Sequence, residues 1–268
     1  MIGAKAIYLQ ISGRLGNQLF QWSYAHYLSE LFQNEVKMFT DTFHHERDFV
    51  PEITSIECDH VKYVGRKNGI GLYIAAWDKL QIDSKSWGPF LANTMRFHRE
   101  QLGLDFKKNC RIATGYFQDY AKVVNASKFF MAELSRYLER TSESNLISSL
   151  GEYQLCHIRR TDFASTAFGQ LSIEFYEANI KPEYKLIVTT DSGEIAQMRK
   201  IGNKEIFMAF GPNDLSSFQV LNLMRFSKRF IMANSTLSWW GALLARERQS
   251  EVVFPEPFWK SDKDFKVT

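Results

Sequence analysis

The alternation of apolar and polar positions divides the chain into a readable start, an opaque middle and a regular second half. Residues 6–12 form an apolar, β-branched and aromatic run suited to a buried strand. Gly13 and Gly16 then mark a tight turn. Beyond it Phe20, Tyr24, Tyr27, Leu28, Leu31 and Phe32 fall at helical spacing, which predicts a helix with this stripe inward and Asn17 as its N-cap. Such a turn empties onto a helix N-terminus, where free backbone N–H groups favour anions. Residues 39–108 mix aromatics, charges and short apolar runs such as 71–77, and predict only loops and short elements. Residues 115–120 form a short aromatic segment, and residues 129–140 predict a helix with Phe130, Leu134, Tyr137 and Leu138 on one side. Residues 141–151, rich in Ser and Glu, read as a linker and domain boundary.

The second half alternates. Strands are predicted at 154–158, 185–190, 205–210, 229–233 and 251–254, and helices at 173–180, 193–200, 213–226 and 238–245. Alternation of this length implies right-handed βαβ units and a parallel sheet. Ligands of such sheets bind at the carboxyl ends of the strands. Those ends are 157–162, 190–192, 211–213 and 234–238. No internal repeat is visible.

Composition narrows the function. The 33 Lys and Arg nearly balance the 30 Asp and Glu, so the formal charge is only +3. That disfavours a generic nucleic-acid binder, whose affinity comes mainly from neutralising phosphates. Cys58, Cys110 and Cys156 are too far apart for a disulfide framework or a Cys-x-x-Cys zinc pair, and suit a reducing compartment. No export signal or membrane-spanning run is visible. The most apolar stretch, 230–245, carries Asn234, Ser235, Thr236 and Ser238 and is shorter than the ~20 residues a spanning helix needs. Aromatics make up 15%, which suits either a large aromatic core or a sugar-stacking surface.

Three segments carry candidate chemistry. His157-Ile158-Arg159-Arg160-Thr161-Asp162 puts two arginines at a strand end. Guanidinium groups are seldom buried without partners, and they match phosphate oxygens as a bidentate fork. A structural Arg–Asp pair closing the loop is the alternative. Asn234-Ser235-Thr236 leads a strand into a helix, either as a phosphate cradle or as simple capping with Trp239 and Trp240 in the core. Asp191, after Thr189 and Thr190, can accept hydrogen bonds from a purine amine or a ribose hydroxyl, or cap a helix. The phosphate loop, the dinucleotide fingerprint and the nucleophile elbow are absent. His44, His45 and Glu46 read as a solvated loop, and Asp262 and Asp264 as a charged tail, so no metal site is expected.

Together these segments resemble the α-1,2-fucosyltransferases of glycosyltransferase family 11. The matching motifs are Gly13-Arg14-Leu15-Gly16-Asn17-Gln18, Gly115-Tyr116-Phe117-Gln118, the segment 157–162, and Asn234-Ser235-Thr236-Leu237-Ser238-Trp239-Trp240-Gly241. The resemblance implies an α/β fold of GT-B type, two Rossmann-like domains facing across a cleft. Residues 1–150 would be the acceptor-side domain and 151–268 the GDP-fucose-binding domain. It also implies a metal-independent, inverting enzyme with no cofactor. GDP-fucose would be the donor, and a galactose-terminated oligosaccharide or lipid-linked glycan the acceptor. By analogy Arg159 and Arg160 would neutralise the pyrophosphate, and Asn234, Ser235 and Thr236 would hold phosphate oxygens. His157 and Asp191 would contact guanine or ribose. Arg14 and Asn17 would lie across the cleft near the fucose, and Asp162 is the candidate general base. Thr161 also occurs in the corresponding motif of α-1,6-type fucosyltransferases, which keeps another linkage open. A non-catalytic GDP-sugar or glycan-binding protein on the same fold is the rival of a different class. The expected location is the cytoplasm of a bacterial-type cell, with peripheral contact at the inner membrane if the acceptor is lipid-linked.

Overall fold

A computed structural model describes residues 6–40, 49–66, 97–99, 112–141, 144–161, 170–256 and 258. The chain divides into two compact units, Met1–Tyr137 and Leu138–Thr268.

The first unit is built on a five-stranded parallel sheet in the order β3-β2-β1-β5-β4: β1 Ile7–Gln10, β2 Val36–Thr40, β3 Val61–Arg66, β4 Phe97–Arg99 and β5 Ile112–Thr114. Its central strand is β1, and Ile7 and Leu9 are fully buried, as the apolar run predicts. Helix α1, Leu15–Phe32, follows it, but the predicted inward stripe is only partly right. Leu31 is exposed, whereas Leu15, Leu19, Phe20, Trp22, Ala25 and Leu28 are buried. The N-terminal two thirds of α1 are enclosed nearly all round, so one amphipathic stripe does not describe it. Its N-cap is Arg14, which makes no side-chain cap bond, and Asn17 lies inside the first turn. The opaque middle contains a short 3-10 turn, Glu52–Ser55, before β3. Helix α2, Tyr120–Ala126, is capped by Asp119, whose carboxylate accepts from the Lys122 N–H.

Helix α3, Met131–Thr141, is as predicted to within two residues. The predicted linker is different: Ser144–Leu150 is helix α4. Ser148 and Ser149 face outward while Leu150 is buried, so composition alone mistook a short amphipathic helix for a loop.

The second unit has the strand order β11-β10-β6-β7-β9-β8. These are β6 Tyr153–Ile158, β7 Lys185–Thr190, β8 Lys200–Ile201, β9 Lys204–Phe210, β10 Arg229–Ile231 and β11 Glu251–Val253. All pairings are parallel except β8 with β9, an antiparallel hairpin; the helix predicted at 193–200 stops at Ala196, and Lys200 already belongs to β8. The remaining helices are α5 Ile173–Asn179, α6 Gly193–Ala196, α7 Ser217–Phe226 and α8 Thr236–Glu247. Helix α7 starts later than predicted because Ser216 and Gln219 form a capping box there. Cys156, Ile158, Leu186, Val188 and Ile231 pack with Tyr176 and Ile195 on one face of the sheet. Each fully buried aliphatic there contributes about 1.5–3 kcal/mol, which is why these strands read as continuous apolar runs. On the other face α8 lies close to α7: a Cβ on Gly241 would meet the Met224 Cβ at 2.8 Å.

In each sheet the order reverses beside its first strand, between β1 and β5 and between β6 and β10. These reversals are the crevices where open α/β sheets bind ligands. Among the described residues, no helix is long and apolar enough to cross a membrane.

Candidate active site

In the first unit, two of the singled-out segments meet at the reversal between β1 and β5. Gly13 has a φ of +76°, and a Cβ there would stand 2.8 Å from the Asn17 Nδ2. The turn is braced by glutamines of α1. Gln18 donates to the Gly13 carbonyl at 2.8 Å and accepts from the Ile53 N–H at 3.0 Å. Gln21 accepts from the Ser12 N–H at 3.0 Å and donates to the Gly115 carbonyl at 2.8 Å. Gln118 donates to the Asn17 Oδ1 at 3.0 Å. Phe117 sits between these anchors with a φ of +53°, an outlier for a bulky residue, and its ring stacks on Tyr24 at 4.0 Å. Tyr116 beside it is exposed. Asn17 is therefore held by Gln118 rather than capping α1, while Arg14 is exposed at the helix start.

Gly13→Ala is expected to lower the stability of the folded chain by about 1–2 kcal/mol, the cost of the left-handed backbone for a residue with a Cβ. Urea unfolding measures it. An unchanged midpoint would show that the turn relaxes without cost.

In the second unit, the loop after β6, the end of β7 and the start of α8 converge. Arg159 Nε pairs with Asp191 Oδ2 at 3.1 Å, with both side chains largely buried. Asp191 also accepts from the Arg160 N–H at 2.7 Å, the Thr161 N–H at 3.3 Å and the Thr161 hydroxyl at 2.6 Å. Burial pushes its carboxyl up. The Thr161 hydroxyl, the Arg160 N–H and the Arg159 charge outweigh that and hold it below the ordinary aspartate value. Asp191 does not cap α6; Ser192 does, accepting from the Ile195 N–H. The Arg160 guanidinium turns instead to Gln170 Oε1, at 3.1 Å.

His157 is buried, and its Nδ1 lies 2.5 Å from Ser238 Oγ. Its backbone carbonyl accepts from the Tyr176 hydroxyl at 2.9 Å. Burial, then the Arg159 charge, lower its pKa to about 3 against the opposing pull of Asp191, so the ring is neutral at physiological pH. Asn234 and Ser235 are buried at the head of α8, and Thr236 is half-buried. Ser235 is the N-cap and accepts from the Ser238 N–H at 3.2 Å. Trp239 and Trp240 are core residues.

The structure thus brings His157, Arg159, Asp191, Asn234, Ser235 and Thr236 to one edge of one sheet. It sets Arg14 and Asn17 at the corresponding edge of the other sheet. Asp162, Cys110, His44, His45, Glu46, Asp262, Asp264 and the run 71–77 lie outside the described residues. Among the described residues no cluster of three or more His, Cys, Asp or Glu side chains is placed to hold a metal ion. Sequence reasoning passed over Ser238, Thr161, Gln118 and Gln21 as working parts of these loops. The signal for the α1 pair was present: Gln18 and Gln21 are three apart, on one face beside a glycine turn.

No family model matches the chain. The chain is 24% identical to the O-antigen biosynthesis glycosyltransferase WbnK of Escherichia coli, over 98% of each. Among solved structures, the fucosyltransferase NodZ from Bradyrhizobium covers 90% of this chain and 92% of its own, with a TM-score of 0.50 and 10% identity. POFUT1 in complex with GDP covers 94% and 98%, with a TM-score of 0.47 and 12% identity. With its two parallel-sheet α/β units, this chain has the GT-B-type fold of the NodZ fucosyltransferase.

Proposed function

We propose that this chain is an inverting α-1,2-fucosyltransferase that moves L-fucose from GDP-β-L-fucose to a galactose hydroxyl of an oligosaccharide or glycan. The observation that carries the reading is Arg159, seated on Asp191 at the carboxyl end of β6, two residues after His157, which is bonded to Ser238 in the first turn of α8. A guanidinium there, with helix N–H groups close by, suits a diphosphate. The likeness to an O-antigen glycosyltransferase along nearly the full chain, and the motifs shared with family 11, support a sugar donor and a glycan acceptor.

In this mechanism the acceptor oxygen attacks the anomeric carbon of fucose as the bond to the β-phosphate oxygen breaks. GDP leaves with the bonding pair. Arg159, with Arg160 contributing charge at longer range, stabilises the negative charge growing on that oxygen, so it binds the transition state better than the ground state. Ser235, Thr236 and Asn234 supply hydrogen bonds to the diphosphate, and His157 and Asp191 face the nucleoside. The acceptor proton passes to Asp162. In this reading the arginines take the electrostatic role a metal would otherwise fill, so chelation leaves turnover unchanged. Arg14 and Asn17 belong to the acceptor-side unit. The donor is a nucleotide sugar and the site of action is the cytoplasm.

The test is release of GDP from GDP-fucose with galactose-terminated acceptors, followed by NMR of the product linkage. An α-1,2 product establishes the reading. An α-1,6 or α-1,3 product moves it to another fucosyltransferase class, with Thr161 as the residue that favours α-1,6. GDP-fucose binding without turnover would identify a glycan- or nucleotide-sugar-binding protein instead.

A further inference from the structure

The hydroxyl of Ser238 is fully buried, and its bonds can be counted. The oxygen accepts from the Ala233 N–H at 3.1 Å and lies 2.5 Å from His157 Nδ1. It has one hydrogen of its own. Among the described residues, His157 Nδ1 is the only acceptor within reach of that hydrogen. If Nδ1 carried a proton, the Ser238 hydrogen would be left buried without a partner, an arrangement natural structures avoid. If Ser238 donates, every group is satisfied, and the single proton of the neutral imidazole sits on Nε2. Among the described residues Nε2 has no hydrogen-bond partner. Both residues stand at the reversal between β6 and β10, His157 next to the last residue of β6 and Ser238 in the first turn of α8.

We propose that Ser238 is a positioning residue: its hydroxyl holds His157 in the tautomer protonated on Nε2, and so presents a fixed hydrogen-bond donor to an acceptor atom of the bound guanosine diphosphate. The ligand half of this rests on the donor reading above; the tautomer half does not. The ring cannot turn over to offer Nδ1 without breaking the bond to Ser238. Tyr176 anchors the same residue from the backbone side, so the donor is placed before any ligand arrives. His157 then acts by donating, and is excluded from acting as the base that takes the acceptor proton.

The full chain, labelled with nitrogen-15 in histidine only, gives a two-bond nitrogen–proton spectrum at neutral pH. The His157 signal is identified by its loss in His157→Gln. The expected pattern is an unprotonated Nδ1 and a protonated Nε2, with Nε2 moving on addition of GDP and Nδ1 nearly still. A proton on Nδ1, or signals averaged between the two forms, would overturn the proposal. Ser238→Ala is expected to average the two forms and to weaken GDP binding about tenfold, as loss of one aligned hydrogen bond does. Ser238→Thr, which keeps the hydroxyl, restores both. A folded Ser238→Ala chain that binds GDP as tightly as the unaltered one would refute the ligand half. Should Ser238→Ala not fold, the spectrum of the unaltered chain still decides the tautomer. Failure of the unaltered chain to bind GDP would sink the donor reading, which is distinguishable from a wrong tautomer.

Discussion

Replacing Arg159 by alanine is expected to lower fucosyl transfer by about 10²–10³-fold, the range seen when one donor to a developing oxyanion is removed. The Arg159 Nε–Asp191 ion pair holds the side chain at the carboxyl end of β6. Lysine at 159 keeps the charge but not the fork and should fall between the two. Arg160 is the internal comparison. Its guanidinium is engaged with Gln170, so Arg160→Ala is expected to cost about tenfold or less, roughly 1.4 kcal/mol of barrier. Released GDP under saturating acceptor measures all three. If Arg159→Ala stays within about tenfold of the unaltered chain while folded, the leaving-group role is wrong.

Replacing Asp191 by alanine should have the next largest effect, about a hundredfold on turnover, because one carboxylate holds the whole start of the β6–α5 loop. It binds Arg159 Nε, two successive backbone N–H groups and the Thr161 hydroxyl. Without it the guanidinium loses its bearing, and misplacement of about 1 Å is enough for a loss of that size. Asparagine should serve little better, since its NH2 group would face donors. If Asp191 works through Arg159, the double variant is no slower than Arg159→Ala alone; additive losses would assign Asp191 a separate contact with the nucleoside. The carboxyl also gives a pH signature. Its folded pKa lies below the ordinary 3.8, so its stabilising contribution is complete above that value and is lost as the pH falls through the lower folded one. Asp191→Ala should therefore flatten the acid limb of the stability curve, measured by urea unfolding.

The second unit was legible because β6 and β7 are buried on both faces and α5, α6, α7 and α8 each bring a serine N-cap. Residues 153–158 and 185–190 need no partner to be recognised as strands. The first unit was less so. β2 and β3 have short apolar runs broken by Lys37 and Lys62, and in both the pattern becomes clear only once pairing is known. At the candidate site, the sequence singled out His157, Arg159 and Asp191, ionisable residues at strand ends, and Ser235, an N-cap type where a strand leads into a helix. It did not reveal Ser238 or Gln118, because serine and glutamine are ordinary residues whose value lies in what stands opposite them.

Chain-local physics determined the alternation of strands and helices, the near balance of charge and the presence of two arginines at a strand tip. Each depends on neighbours within a few positions. Only the tertiary structure decided which arginine is held by Asp191, that Asn17 answers to Gln118 101 residues away, and that His157 answers to Ser238 81 residues away. Those pairings depend on strand order, and strand order follows from how buried faces close on one another over the whole unit, which no short window of sequence records.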